Sequence, residues 1–245
     1  GLLPETLAEG IHVCLRTPVE AIDVSGNGVS IRVPGGTICA DHVVLATTAN
    51  IARDLYAPTS DVEERLLATG YSSTVNVGLI LWDRLPTDRI ASDIYGVLIP
   101  RKERAVVAGI GIESRKCPDY VPRGEILNVM LDGNAGNRLV HASEDAILAE
   151  VLLDLDRYFP HVEKYISSAR FHRWPIAEPL SPVGRSRDIC EYRAQCRADQ
   201  KVILAGDYVS APTTEGAVES GLWAAQILAG AISAMPCGVQ LGYGL

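Results

Sequence analysis

The sequence predicts an α/β chain with a strand–turn–helix unit near its C-terminal end and an antiparallel sheet in its middle. Three observations carry this. Lys201 to Leu228, KVILAGDYVSAPTTEGAVESGLWAAQIL, reads as a buried strand (Val202–Ala205), a tight turn at Gly206, an acid at Asp207, a polar loop and a small-residue helix opening near Thr214. Asp41-His42-Val43-Val44-Leu45-Ala46 ends apolar, the pattern of a strand buried on both faces of a parallel sheet. Between these two, residues 75–82, 94–99 and 105–112 are apolar or alternating runs of strand length, with the charged turn Pro100-Arg101-Lys102-Glu103-Arg104 joining the last two.

In chain order, Ile11–Leu15 reads as a short strand. Val19–Val24 alternates apolar and polar, Gly26-Asn27-Gly28 is turn chemistry, and Val29–Val33 alternates again. Gly35-Gly36 makes a second turn before the strand that ends at Ala46. Thr47-Thr48-Ala49-Asn50 leads into a short helix through Tyr56, and Val62–Ala68 forms another. After the central strands, a further strand is expected near Ile126–Leu131. Ser143 caps a helix with Glu144 and Asp145 in its first turn and Ile147, Val151, Leu152 and Leu155 on one face. At the C-terminal end, a strand closing in Gly206-Asp207 and leading into a helix start sets a carboxylate and free backbone N–H groups around one ligand. The helix dipole there suits a phosphate or an electron-rich ring edge.

Composition narrows the function classes. The 245 residues are 47% apolar and 21% charged, enough for a sizeable core in one or two domains. The net charge of −8 argues against nucleic acid or an anionic membrane as the main partner. The six cysteines include no Cys-x-x-Cys pair and are expected to be mostly buried, reduced thiols of a cytoplasmic protein. No secretory leader is read at the N-terminus. The most apolar helix candidate, residues 221–235, falls short of the ~18–20 residues a membrane span needs. Gly-x-Ser-x-Gly, His-Glu-x-x-His and phosphate-loop motifs are absent, and His12, His42, His141, His161 and His172 lack metal-ligand spacing.

Gly206-Asp207, Glu215-Gly216-Ala217 and Glu219-Ser220-Gly221 resemble the C-terminal flavin-binding signature of the FAD-dependent amine oxidase, protoporphyrinogen oxidase and phytoene desaturase superfamily. Residues 11–45 resemble the same superfamily's strand–hairpin–strand block. Arg173-Trp174-Pro175-Ile176-Ala177-Glu178-Pro179 resembles its tryptophan–proline stretch, and Lys116-Cys117-Pro118, Pro122-x-Gly124 and Gly133-Asn134 are similar to its protoporphyrinogen oxidase and desaturase branch. The resemblance implies a partial Rossmann-like FAD domain in residues 1–57 and 170–245, with an α+β substrate domain inserted at 58–169. It covers nearly all of this chain but only the C-terminal half of the family's length. The Gly-x-Gly-x-x-Gly turn that grips the pyrophosphate has no counterpart: Gly26-Asn27-Gly28 and Gly109-Ile110-Gly111 sit in hairpin and strand contexts. Three explanations stay open: a companion chain carrying that half, a truncated product, or a fold that has lost its flavin. A companion chain is the leading expectation, with a homo-oligomer as the other partner, because a missing first strand leaves an open sheet edge.

The resemblance assigns roles residue by residue. Asp207, following Gly206, accepts a hydrogen bond from a ribityl or phosphate-proximal hydroxyl. Gly216, Ala217 and Val218 offer N–H groups to the pyrimidine edge of the flavin, with Thr213 and Thr214 at the helix start as caps or flavin contacts. Val19 lies where the family makes a backbone contact to adenine, and Ala46 and Thr47 end the strand that approaches the adenosine phosphates. Tyr71, Asn76 and Trp174 are the substrate-side candidates. Asn76 stands where amine oxidases often carry a lysine, which favours C–C or ring dehydrogenation over amine oxidation. The implied reaction is hydride transfer from a small apolar or aromatic substrate to FAD, with no catalytic base identified. The rival readings are a flavin-free binding or scaffold protein and a cofactor-independent enzyme on the same fold.

Overall fold

The computed structural model describes residues 2–26, 28–85, 91, 93–121 and 123–230. Asn27, Pro122 and the end of the apolar segment at 231–235 therefore lie outside the described residues, as does Cys237. In chain order the elements are α1 (Leu2–Leu7), β1 (Ala21–Ser25), β2 (Gly28–Val33), β3 (Gly36–Ala40), β4 (Val43–Leu45), α2 (Ala49–Leu55) and α3 (Asp61–Leu67). Next come β5 (Thr74–Leu81), β6 (Gly96–Leu98), β7 (Val107–Ile112), α4 (Glu113–Lys116), β8 (Glu125–Leu131), α5 (Gly133–Leu139), α6 (Glu144–Leu155) and β9 (Ile166–Trp174). The chain closes with α7 (Arg185–Gln195), β10 (Val202–Leu204) and α8 (Thr214–Leu228). No described helix is long and apolar enough to cross a membrane.

The chain folds as two units, one of residues 1–70 with 179–245 and the other of residues 71–178. These divisions differ from the expected 57/58 and 169/170 for physical reasons. Helix α3 belongs with α7, to which Arg65 is tied by ion pairs to Asp188 (3.0 Å) and Glu191 (2.9 Å). Strand β9 pairs along β5 from Thr74↔Trp174 to Leu81↔Ile166, so Trp174 belongs to the sheet unit rather than to the flavin-type unit.

In the first unit, β1, β2 and β3 form an antiparallel meander, and β4 pairs in parallel with β10, residue Val43 opposite Val202 and Leu45 opposite Leu204. Residues 11–15 form no strand: no described neighbour pairs with them, and Ile11, Val13 and Leu15 stay exposed. Strand β4 is parallel as expected but not buried on both faces, since Val44 is 39% exposed. Its one described neighbour is β10. Thiol burial is also not general, because Cys14, Cys39 and Cys117 are exposed and Cys196 is buried.

The second unit is a five-stranded antiparallel sheet in the order β6-β7-β8-β5-β9. Strand β5 alternates: Val75, Val77, Leu79 and Leu81 are buried, while Thr74, Asn76, Gly78 and Ile80 take the other face. Helix α6 covers the buried face with Ile147, Val151 and Leu155, opened by Ser143, whose hydroxyl accepts from the Ala146 N–H. Burial of such aliphatic side chains contributes about 1.5–3 kcal/mol each.

Candidate functional site

The parallel pairing of β4 and β10 brings two chain reversals side by side. Ala205 N–H donates to Leu45 O at 2.9 Å, so Ala46-Thr47 and Gly206-Asp207 leave the sheet at the same edge. The carboxyl edge of parallel strands is where ligands bind in open α/β sheets. Gly206 has φ +135°, and a Cβ there would lie 3.1 Å from the Tyr208 ring, so both conformation and space demand glycine. Its N–H donates to the Ser220 hydroxyl at 2.8 Å, which fixes the turn against α8. Arg185, buried in α7, donates to Tyr208 O at 2.6 Å and to the Thr69 hydroxyl, holding the same turn from behind.

Asp207 is half-buried and forms no ion pair with any described residue. Burial pushes its carboxyl above the usual range, opposed by the backbone N–H groups of Tyr208 and of Asp207 itself. A half-buried carboxylate at a strand end, met by backbone N–H groups but by no described cation, is suited to accept a hydroxyl from a ligand.

The first turn of α8 is committed differently from the sequence expectation. Thr213 caps it, with its hydroxyl accepting from Gly216 N–H (3.0 Å) and its carbonyl accepting from Ala217 N–H (3.0 Å). Val218 lies one residue deeper in the helix. The N–H groups without a described partner are therefore those of Thr214 and Glu215, immediately ahead of Gly216, Ala217 and Val218 in the same turn. Glu219 takes a structural part: Arg193 grips it with two bonds of 2.7 and 2.6 Å, Ser210 donates to it, and these bonds, Arg193's foremost, hold its carboxyl below the usual range.

One residue carries a signal the sequence did not. Asn50, in the first turn of α2 just beyond Ala46 and Thr47, has a buried Oδ1 with no hydrogen-bond partner. A buried orphan acceptor is costly, so it marks a place where a donor is awaited. Val19 precedes β1, outside any strand, and is 37% exposed. Orphaned Asn50, unpaired Asp207 and two free helix-start N–H groups make a donor and acceptor set that fits a hydroxyl-rich, anionic cofactor such as FAD.

In the sheet unit, Asn76 lies on the outward face of β5, opposite His172 on one side and Met130 on the other. Trp174 is on the same face, 46% exposed, its ring tilted against His172 at 4.3 Å. Tyr71 lies just ahead of β5. His161 groups with Asp156 and Glu163, their ligand atoms within 4.8 Å, but all three are exposed, an arrangement common on solvated acidic surfaces.

Comparison with known proteins agrees with this geometry. The family of flavin containing amine oxidoreductases matches residues 1–229. Among solved structures the chain is similar to a candidate protoporphyrinogen oxidase from Exiguobacterium sp. 255-15, at a TM-score of 0.74 and 20% identity over 93% of this chain and 51% of that one. It is also similar to a double mutant of putrescine oxidase redesigned in its cofactor binding, at a TM-score of 0.65 and 15% identity over 93% and 51% of the two chains. The chain thus spans about half the length of these two structures. No curated protein matches it in sequence. The family match over nearly the whole chain, joined to the carboxylate-and-helix turn on a parallel strand pair, places this chain in the flavin containing amine oxidoreductase family.

Proposed function

We propose that this chain forms one wall of an FAD site together with the substrate-binding unit of an oxidoreductase. The observation that carries the proposal is the half-buried, unpaired Asp207 at the carboxyl edge of β10, beside the open first turn of α8. Asp207 accepts a hydroxyl of the cofactor's sugar-alcohol chain. The Thr214 and Glu215 N–H groups, at the positive end of α8, take the negative edge that Gly216, Ala217 and Val218 were expected to hold. Ala46, Thr47 and Asn50 at the end of β4 serve the adenosine side, and Val19 the adenine. Bound FAD supplies the two-electron acceptor for a hydride from a substrate C–H bond. Asn76, in place of a basic residue, favours a ring or C–C dehydrogenation, with Tyr71 and Trp174 on the substrate side.

The pyrophosphate grip must come from a segment of Gly-x-Gly-x-x-Gly type, on a longer form of this polypeptide or on a companion chain. Where it docks follows from hydrogen bonding. Along β10, alternate residues point away from β4, and there Leu204 N–H already donates to the Tyr192 hydroxyl at 2.7 Å. On the other side, the N–H and C=O of Val44 have no described partner, so the outer edge of β4 receives the added strand. Val218 and Leu222 on α8, 37% and 61% exposed, form an apolar face for the same partner.

The test is co-purification with such a segment followed by a visible spectrum. Bands near ~375 and ~450 nm are expected; a colourless complex overturns the proposal and favours a flavin-free scaffold. Asp207→Asn is expected to weaken FAD binding about 10- to 100-fold, the loss of a charge-assisted hydrogen bond. The same variant should be more stable than the parent at neutral pH. Burial raises the folded-state value of this acid, so its charge costs stability above that value, and the cost disappears below about pH 4, the unfolded value. Thermal unfolding of the two proteins at pH 7 and at pH 3.5 checks the sign: a gain at the first and none at the second.

A further inference from the structure

Gly78 sits in the middle of β5, flanked by β8 and β9, with no local reason to be glycine. Its φ is not in the left-handed region, and a Cβ placed there meets nothing closer than Arg170 atoms at 3.9 Å. Glycine weakens a strand interior, and where neither a bulge nor crowding explains it, it marks a close approach by a ligand. By contrast Gly109 and Gly111 on β7 are roofed: a Cβ on Gly109 would meet the Leu98 and Met130 methyl groups at 3.0 Å, and one on Gly111 the Glu113 carboxylate at 2.7 Å. Of the glycines on this face, Gly78 is the open one in the interior of the sheet; Gly96, whose Cβ would meet only Ile110 O at 3.5 Å, lies on the edge strand β6.

Its surroundings define what fits. One row up the sheet stands Asn76, next to Met130 and His172, and one row down stands Ile80. Residues four apart along a strand are about 13 Å apart, so after subtracting side chains a flat ring system can lie on the peptide surface between the two rows. Beside Gly78 stand Asn128 and Arg170. Among the described residues that point outward from the five strands, Arg170 is the one formal charge. It is exposed, donates to Ala169 O at 3.0 Å, and has no described carboxylate partner. The neighbouring Glu113 and Lys116 neutralise each other at 2.8 Å.

We propose that this face binds a flat aromatic carboxylate, with the ring on Gly78 and the carboxylate on Arg170. The inference rests on the reading of residues 71–178 as the substrate-binding unit and turns that reading toward acids rather than the amines of the family's description. An amine would meet a like charge at Arg170, while the carboxylate beside this face, Glu113, is already held by Lys116.

The test needs no flavin. Naphthalene-2-carboxylate, 2-naphthylmethanol and 2-naphthylmethylamine are titrated calorimetrically against the chain. The carboxylate should bind tightest and the amine weakest. Arg170→Gln should weaken the carboxylate about 10-fold and leave the alcohol unchanged, the loss of one charge-assisted contact. Gly78→Val should weaken the carboxylate and the alcohol at least ~10-fold by filling the floor, while its unfolding midpoint holds or rises, since valine suits a strand better than glycine. Preference for the amine, no carboxylate binding at millimolar concentration, or wild-type binding by Arg170→Gln overturns the inference. A colourless holo-complex with acid selectivity intact sinks the flavin reading alone. A flavin-bearing complex without that selectivity sinks this inference alone.

Discussion

Gly216→Ala is expected to destabilise the first unit by about 3 kcal/mol, although glycine to alanine inside a helix ordinarily stabilises by about 1 kcal/mol. The reversal comes from one contact. A Cβ on Gly216 would stand 2.0 Å from Ala211 O and 2.8 Å from Ala211 N and C, all backbone atoms with no side-chain freedom to retreat. The loop itself is tied, since Thr213 N–H donates to Ala211 O at 2.7 Å, so relieving the overlap displaces the cap that Thr213 supplies to α8. Gly221 is the matched control: it lies in the same helix, is exposed, and a Cβ there meets nothing within 4 Å. Gly221→Ala should therefore gain about 1 kcal/mol. Urea unfolding of the two variants should move in opposite directions from the parent. If Gly216→Ala matches Gly221→Ala, the close packing of the loop on the helix is not what holds this turn. Flavin retention adds a second reading, because a displaced Thr213 moves the Thr214 and Glu215 N–H groups, whereas Gly221 leaves them in place.

That contact also shows how far the sequence could be read. Gly-Asp at a strand end and Glu-Gly-Ala at a helix start announce a turn with local, short-range chemistry, and the turn forms at those residues. Which N–H groups remain free is a different matter. It depends on Thr213 taking up both Gly216 and Ala217, a choice of cap that moves the open groups to the two residues ahead of them. Asn50 was readable only as a helix-start residue, because an orphaned oxygen is a property of the folded surroundings. Strand β9 hid its alternation behind polar residues: ISSARFHRW sends Phe171 and Arg173 to one face, and Arg173 still reaches Val140 O at 2.7 Å. Helix α7 is polar almost throughout and buries chiefly Tyr192 and Arg185, too few positions to register as a period. Residues 11–15 show the converse, an apolar run of strand length that stays unpaired because a strand is completed by its neighbours.

Asp154→Ala is expected to cost the sheet unit about 3–5 kcal/mol, since two backbone N–H donors lose their acceptor at about 1–3 kcal/mol each. Asp154, at the end of α6, is 4% exposed, and its Oδ2 accepts from both Val106 N–H and Val107 N–H at 2.8 Å, where the β7 ladder shifts register. Its other oxygen takes Arg157 at 2.6 Å. Alanine leaves two N–H groups at the start of β7 without an acceptor, and Val107 is fully buried. Burial works against the charge, but the Val107 and Val106 N–H groups and Arg157 outweigh it, so the carboxyl is held below its usual range. For an acid lowered in the folded state, the stabilisation is complete above the unfolded value near pH 4 and is lost as pH falls through the folded value. Asp154→Asn keeps an acceptor oxygen for the two N–H groups and loses the charge, so about 1–2 kcal/mol is expected at pH 7, shrinking below about pH 4. Hydrogen exchange of the β7 and β8 amides reads the effect where it arises. Protection should fall in both strands for alanine at pH 7, while the asparagine variant and the parent should converge in acid. Equal protection in the alanine variant and the parent would mean that β7 is held by its ladder alone, and that α6 covers the sheet without anchoring it.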